Sequence, residues 1–154
     1  MIDPTTITRP LAALLDEAFG VSVAPHGFFL DSGQDGLLGT IDQISAQTAS
    51  TPPALGQETI AAHCGHILYL LHIFEQYERG QQPAIDWPAS WTTQVVDDTA
   101  WAQLRADLRR SYAIIASLVQ AHSQWSEPAL AAAMMLLAHG SYHVGVIHKL
   151  RTVV

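Results

Sequence analysis

Two histidines near the C-terminal end of the chain have the spacing of a metal site. In the stretch AHGSYHVGVIHKL, residues 138–150, His139 lies four residues before His143, which on a helix is about 6 Å along the axis. Side chains at that spacing can converge on one ion, as paired helical histidines do in zinc sites. Apolar neighbours indicate that part of this surface is buried, where imidazoles without partners are costly. The alternative is that each histidine forms a hydrogen bond with a carbonyl group or a neighbouring helix.

A second histidine pair, His63 and His66, lies earlier in the chain and is also one turn apart. Among eight histidines in 154 residues, about one pair at helical spacing is expected by chance, so spacing alone does not establish a site. On a helical wheel His63 lies nearer the centre of the apolar stripe, and His66 lies on its flank. Either can join His139 and His143, and three histidines would leave the open coordination position that a catalytic metal needs.

Helical periodicity predicts the elements that position these pairs. No period-two strand pattern extends beyond five residues, and Gly20 and Gly80 are natural stops for the helices before them. Asp97 or Asp98 is a candidate N-cap, and so is Ser126. Long amphipathic helices are expected over residues 5–19, 57–79, 98–122 and 127–151, with a short helix over 37–46. The predicted fold is therefore an all-α four-helix bundle in a single domain, residues 1–154.

Composition excludes several classes of function. The chain is 49% apolar and 14% charged, with a net charge of −7, so no nucleic-acid surface is expected. No apolar run reaches the ~20 residues of a transmembrane helix, and the N-terminus lacks the pattern of a signal peptide. The single cysteine, Cys64, excludes an internal disulfide and is interpreted as a core residue. These features predict a cytoplasmic protein, and the apolar excess predicts a homodimer.

Other residues carry weaker signals. Trp87 and Trp91 can wall a pocket, although a segment such as DWPASW more often packs a loop against a bundle. Gly140 and Gly145 each cost about 1 kcal/mol relative to alanine inside a helix, which indicates the close approach of another helix or a ligand. The remaining histidines are interpreted as surface or packing residues: His26, His72, His122 and His148.

Three segments together resemble the DinB-like superfamily of four-helix bundle metalloproteins. TIAAHCGHILYLLHIFEQYERG resembles the second helix of that family, and AHGSYHVGVIHKL is similar to its closing H-x-x-x-H motif. Between them, DWPASW followed by WAQLRADL is similar to a connection and third helix found in one subgroup. The three segments occur in the order and spacing of the family.

The resemblance implies an up-down-down-up bundle, commonly dimeric, that binds a divalent metal such as zinc or nickel through three histidines. The last two ligands map onto His139 and His143. Counting six residues from Ile60 places the first ligand at His66, with His63 as an alternative or additional ligand. Where the family often has an arginine after the closing motif, this chain has His148.

The resemblance also implies two activities on a small-molecule substrate. Family members include transferases and isomerases that use low-molecular-weight thiols, alongside proposed hydrolases, so thiol-dependent S-transfer and metal-activated hydrolysis are both expected candidates. No catalytic side chain is assigned by the sequence. The competing hypothesis is a non-catalytic bundle that binds a small ligand or partner, with histidines that are structural. A structure in which His139 and His143 point away from both His63 and His66 would exclude the metal site.

Overall fold

The computed structural model describes residues 5–21, 27–31 and 33–154. Within those residues there are six α-helices, one 3-10 turn and no strand, which confirms the predicted all-α class. The helices are α1 (Thr5–Phe19), α2 (Leu37–Asp42), α3 (Ala46–Ala49), α4 (Ile60–Glu78), α5 (Asp98–Ala121) and α6 (Glu127–Leu150). The 3-10 turn is Pro88–Trp91, in the connection between α4 and α5.

Side-chain caps set the starts of α4, α5 and α6. In each case a side-chain oxygen accepts a hydrogen bond from the N–H three residues later, and the cap residues are Thr59, Asp97 and Ser126. Such a bond satisfies one of the N–H groups that the first helical turn leaves free. The predicted caps of α5 and α6 are confirmed, whereas α4 begins three residues later than the predicted residue 57 because Thr59 takes the cap.

The prediction of one short helix over residues 37–46 is wrong. Helix α2 ends at Asp42, and a separate helix, α3, begins at Ala46. The side chain of Ser45 accepts a hydrogen bond from Thr48 N–H at 3.1 Å. A serine that bonds to the backbone in this way starts a new helix instead of continuing the old one.

The hydrophobic core lies among four long helices. Helix α4 packs against α5 and α6, and α1 packs against the same two helices. The largest fully buried side chains come from α1, α2, α4, α5 and α6: Phe19, Phe74, Leu15, Leu37, Ile41, Ile60, Ile67, Leu70, Leu71, Leu108, Ile115 and Leu136.

Polar contacts between α4 and α5 show that these two helices run in the same direction. His72 lies 3.2 Å from Ser111, and six residues further along α4 Glu78 lies 2.7 Å from His122. Contacts between α1 and α6 show that these two helices also run in the same direction. Trp125 donates to Thr8 near the start of each helix, and Phe19 at the end of α1 lies against Gly140.

The two glycines of α6 have different surroundings. A Cβ atom at Gly140 would lie 2.2 Å from Cζ of the fully buried Phe19. At Gly145, which is exposed, no atom of the described residues lies within 4 Å of such a Cβ. Close helix packing therefore requires glycine at position 140 and not at position 145.

We expect opposite effects from alanine at these two positions. Gly140→Ala should destabilise the protein by about 1–3 kcal/mol, the usual effect of overpacking a core. Gly145→Ala should stabilise it by about 1 kcal/mol, because alanine has the higher helix propensity. Urea denaturation followed by circular dichroism measures both, and effects of the same sign at the two positions would contradict the assignment.

The outward face of α6 is apolar. Met134, Met135 and Tyr142 are exposed, and no Asp, Glu, Lys or Arg occurs from Pro128 to His148. By length and hydropathy α6 is the one helix of the described residues that could cross a membrane, a criterion that core helices of soluble proteins also meet. The homodimer predicted from composition stays a prediction.

A buried carboxylate anchors the connection that follows α1. Glu17 accepts hydrogen bonds from the N–H groups of Phe28, Phe29 and Leu30, at 2.8, 2.7 and 2.7 Å. Burial by itself raises the pKa of Glu17, but the three N–H donors together outweigh it, so the pKa lies below its usual value. The ionised form is the one that is stabilised in the folded protein.

Replacing this carboxylate should reduce stability in a pH-dependent way. Because the pKa of Glu17 is lowered on folding, its contribution is present above the unfolded-state pKa of about 4.3 and is lost as the pH falls through the folded-state pKa. Glu17→Gln should therefore lower the free energy of unfolding by roughly 1–3 kcal/mol near pH 7 and by less in acid. Denaturant titrations at several pH values test this, and a loss that does not depend on pH would contradict it.

Candidate metal centre

Helices α4 and α6 run in opposite directions and bring three histidines together. The ligand nitrogens of His66, His139 and His143 all lie within 4.8 Å of one another. Nε2 of His139 is 3.0 Å from Nε2 of His66 and 3.0 Å from Nε2 of His143. Two nitrogens bound to one tetrahedral zinc at 2.0–2.1 Å would be about 3.3 Å apart. This cluster could hold a metal ion, and three imidazoles are a donor set that zinc, copper and nickel accept.

Burial keeps the three imidazoles neutral. His66 and His143 are buried and His139 is half-buried. Loss of solvation lowers the pKa of all three, and the neighbouring histidines lower those of His66 and His143 further, to about 4 and about 3 respectively. At neutral pH each ring therefore has a nitrogen lone pair available, which is the form that binds a metal.

The 3-10 turn orients the first of these histidines. Nδ1 of His66 lies 2.6 Å from Oγ of the buried Ser90. The hydroxyl of Ser90 donates its own proton to the carbonyl oxygen of Trp87, also at 2.6 Å. Oγ must therefore accept the Nδ1–H of His66, which leaves the lone pair of His66 on Nε2, facing His139. No feature of the sequence singled out Ser90, because its position against α4 arises only when the connection folds back.

His63 contacts the cluster but is not one of its three members. Its Nδ1 lies 3.0 Å from Nδ1 of His143, so it contacts the ring nitrogen of His143 that does not face His139. Burial lowers the pKa of His63, and the negative charge of Glu58 partly offsets that effect. The sequence left His63 and His66 open as ligands from α4. The structure places His66 with the pair on α6 and His63 beside one member of that pair.

Both tryptophans of the connection border the cluster. Trp91 stacks on His66 with ring centroids 4.1 Å apart, and Trp87 lies 5.7 Å from the rings of both His66 and His139. Trp87 is 37% exposed. The DWPASW segment therefore packs against α4 and at the same time forms one wall beside the histidines.

A tyrosine borders the cluster on the α6 side. Tyr142 meets the ring of His143 edge to face at 4.9 Å and is 66% exposed. Cys64, by contrast, is fully buried, and burial raises the pKa of its thiol well above the usual value. The interpretation of Cys64 as a core residue is confirmed.

The other described histidines do not belong to the cluster. Their contacts are with Ser111 for His72, with Glu78 and Trp125 for His122, and with Thr40 for His148. These contacts agree with the predicted surface and packing roles. His26 lies outside the described residues.

A groove of about 400 Å³ lies at the other end of α4 and α6, lined in part by Tyr77, Glu78, Pro128 and Ala132. Tyr77 is eleven residues beyond His66 on α4, which is about 17 Å along a helix. The groove is therefore separate from the histidine cluster, and no histidine is among those of its lining residues that the structure describes.

Comparisons of the chain with models of protein families, with curated proteins and with solved structures found no match. What the cluster can do chemically therefore follows from its own residues.

Proposed function

We propose that this protein is a metal-dependent enzyme whose divalent ion is bound by Nε2 of His66, His139 and His143. The observation that supports this most strongly is the convergence of three neutral imidazoles from two helices, one of them already oriented by Ser90. When bound, an ion at this position lowers the pKa of an O–H or S–H group that coordinates to it. Zinc or nickel is the ion that we propose.

We further propose that the four long helices form an up-down-down-up bundle of the DinB-like type. Three observations support this topology. Helices α4 and α5 run in the same direction, as do α1 and α6, while α4 and α6 run in opposite directions. The two metal-binding helices are then neighbours in one bundle, and bundle proteins build metal sites from side chains on facing helices.

The substrate that we propose is a small thiol. Three protein ligands would leave one position of a tetrahedral site open, and two exposed aromatic rings lie beside the histidines, Trp87 against His139 and Tyr142 against His143. A cysteine-like thiol has a pKa of about 8.5, against about 15.7 for water, so a bound ion ionises a thiol at neutral pH with a much smaller shift. A sulfur ligand also suits zinc.

The test uses cobalt as a spectroscopic substitute for zinc. Protein purified without an affinity tag is loaded with one equivalent of Co²⁺ and titrated with 2-mercaptoethanol, with ethylene glycol as the matched control lacking sulfur. We expect a saturable thiolate-to-cobalt charge-transfer band with the thiol only. The band should persist in Cys64→Ser, which would show that the added thiol and not the protein thiol is the ligand. It should be lost in His143→Ala, which would show that the ion is bound at the histidine cluster.

Other outcomes separate the alternatives. Stoichiometric Co²⁺ binding without a response to thiol, together with no ester hydrolysis by the zinc form, would favour the non-catalytic bundle with a structural site. No Co²⁺ binding at all would contradict the metal centre itself. Hydrolysis of an activated ester by the zinc form, without thiol binding, would favour the hydrolase instead.

A further inference from the structure

We propose that His63 is a positioning residue of the metal centre, whose Nδ1 accepts the Nδ1–H of His143 and thereby keeps the lone pair of His143 on Nε2. This inference rests on the proposed function, because His143 is one of the proposed ligands. It assigns His63 a role other than that of an alternative or additional ligand.

The inference follows from the number of protons on the imidazole rings of His63 and His143. A neutral imidazole has one N–H, and the other nitrogen has a lone pair. If His143 binds an ion through Nε2, its proton must be on Nδ1, and the atom 3.0 Å from that nitrogen is Nδ1 of His63. His63 must then present a lone pair at Nδ1 and carry its own proton on Nε2. The reverse arrangement would place the proton of His143 on Nε2, where it blocks the bond to the ion.

The surroundings hold His63 in the orientation that this role requires. Its side chain is buried on α4, one turn before His66. The ring meets Trp91 edge to face, at 5.2 Å and an interplanar angle of 87°. Burial and this ring contact confine the imidazole in an orientation that directs Nδ1 at His143.

The same arrangement occurs at His66, where Ser90 accepts the Nδ1–H. Two of the three proposed ligands thus have a protein acceptor on the nitrogen that does not face the ion. Such acceptors fix the ring orientation and raise the basicity of the ligand, and their removal typically lowers metal affinity by about 10- to 100-fold.

The first experiment measures Zn²⁺ affinity by competition with a chromophoric chelator. His63→Leu removes the acceptor and should weaken binding by about 10- to 100-fold. His63→Asn should restore most of the affinity, because its amide oxygen can accept a hydrogen bond near the position of Nδ1. His72→Leu, on the exposed side of the same helix, is the matched control and should bind like the parent. Thermal unfolding of each metal-free variant verifies that it is folded.

The second experiment reads the tautomers directly by two-dimensional nitrogen–proton NMR of the histidine side chains in the zinc-loaded protein. We expect His143 to be protonated on Nδ1 and His63 to be protonated on Nε2 only. A proton on Nδ1 of His63 would overturn the proposal.

The remaining outcomes distinguish this inference from the proposed function. If the parent binds no zinc, the proposed function fails. If the parent binds zinc and His63→Leu binds it equally well, only the role of His63 fails. If His63→Leu and His63→Asn both lose binding to the extent of His143→Ala, His63 is a ligand and the positioning role is wrong.

Discussion

Replacing His143 with alanine should weaken zinc binding by about 10²- to 10³-fold. The apparent free energy of binding Zn²⁺ at structural sites is about 10–16 kcal/mol. Shared among four ligands, this is roughly 2.5–4 kcal/mol for each, and about 1.4 kcal/mol corresponds to a tenfold change in affinity. His143 is expected to be at least as sensitive as this average, since its ring contacts both His139 and His63. Competition with a chromophoric chelator measures the loss.

Matched variants make this result specific to the cluster. His66→Ala and His139→Ala should have losses of the same order, because each supplies one nitrogen of the same group. His72→Ala replaces an exposed histidine of α4 and should leave affinity unchanged. Equal binding by the parent and by His143→Ala would place the ion elsewhere and would contradict the proposed centre.

Removal of the metal should lower the thermal stability of the parent substantially. An ion that binds only the folded state, at a free concentration 1,000 times its Kd, stabilises that state by about 4 kcal/mol. For a chain of this size each kcal/mol corresponds to roughly 2–4 °C in Tm. We therefore expect Tm to rise by about 8–16 °C when Zn²⁺ is added and to fall back with a chelator. The physical reason is that the three proposed ligands, from α4 and α6, come together only in the folded state.

Two controls separate this effect from non-specific binding. The His139→Ala/His143→Ala double variant retains the helix but lacks two ligands, so zinc should not raise its Tm. Mg²⁺ prefers oxygen ligands and should not stabilise the parent. A similar rise with zinc in the parent and in the double variant would show that the stabilisation comes from another site.

The helices could be predicted because their signals are local. The starts of α5 and α6 depend on Asp97 and Ser126, whose side chains bond to N–H groups three residues away. The same kind of local signal was missed at Ser45, whose side chain caps the start of a separate helix, α3. The helical periodicity of apolar residues does not reveal a side-chain hydrogen bond that competes with the helix.

The site could be predicted only in part. Four-residue spacing places His139 and His143 on one face of any helix, so their proximity needs no tertiary information. The choice between His63 and His66 depends on the rotation of α4 relative to α6. The helical wheel placed His63 nearer the centre of the apolar stripe, but both histidines are buried and one turn of helix separates them, so the wheel did not show which one meets the pair on α6. In the folded protein His66 lies beside His139, and His63 lies beside Nδ1 of His143, the nitrogen that does not face His139.

The helical class, most helix limits and the pair of histidines on α6 follow from the sequence alone, because periodicity, caps and i to i+4 spacing act within one segment. The folded arrangement was needed to show which histidine of α4 completes the cluster and that Ser90 orients it. It also decided that Gly140, unlike Gly145, must be a glycine. Each of these depends on contacts between segments far apart in the chain, and such contacts follow from how helices rotate and pack against one another.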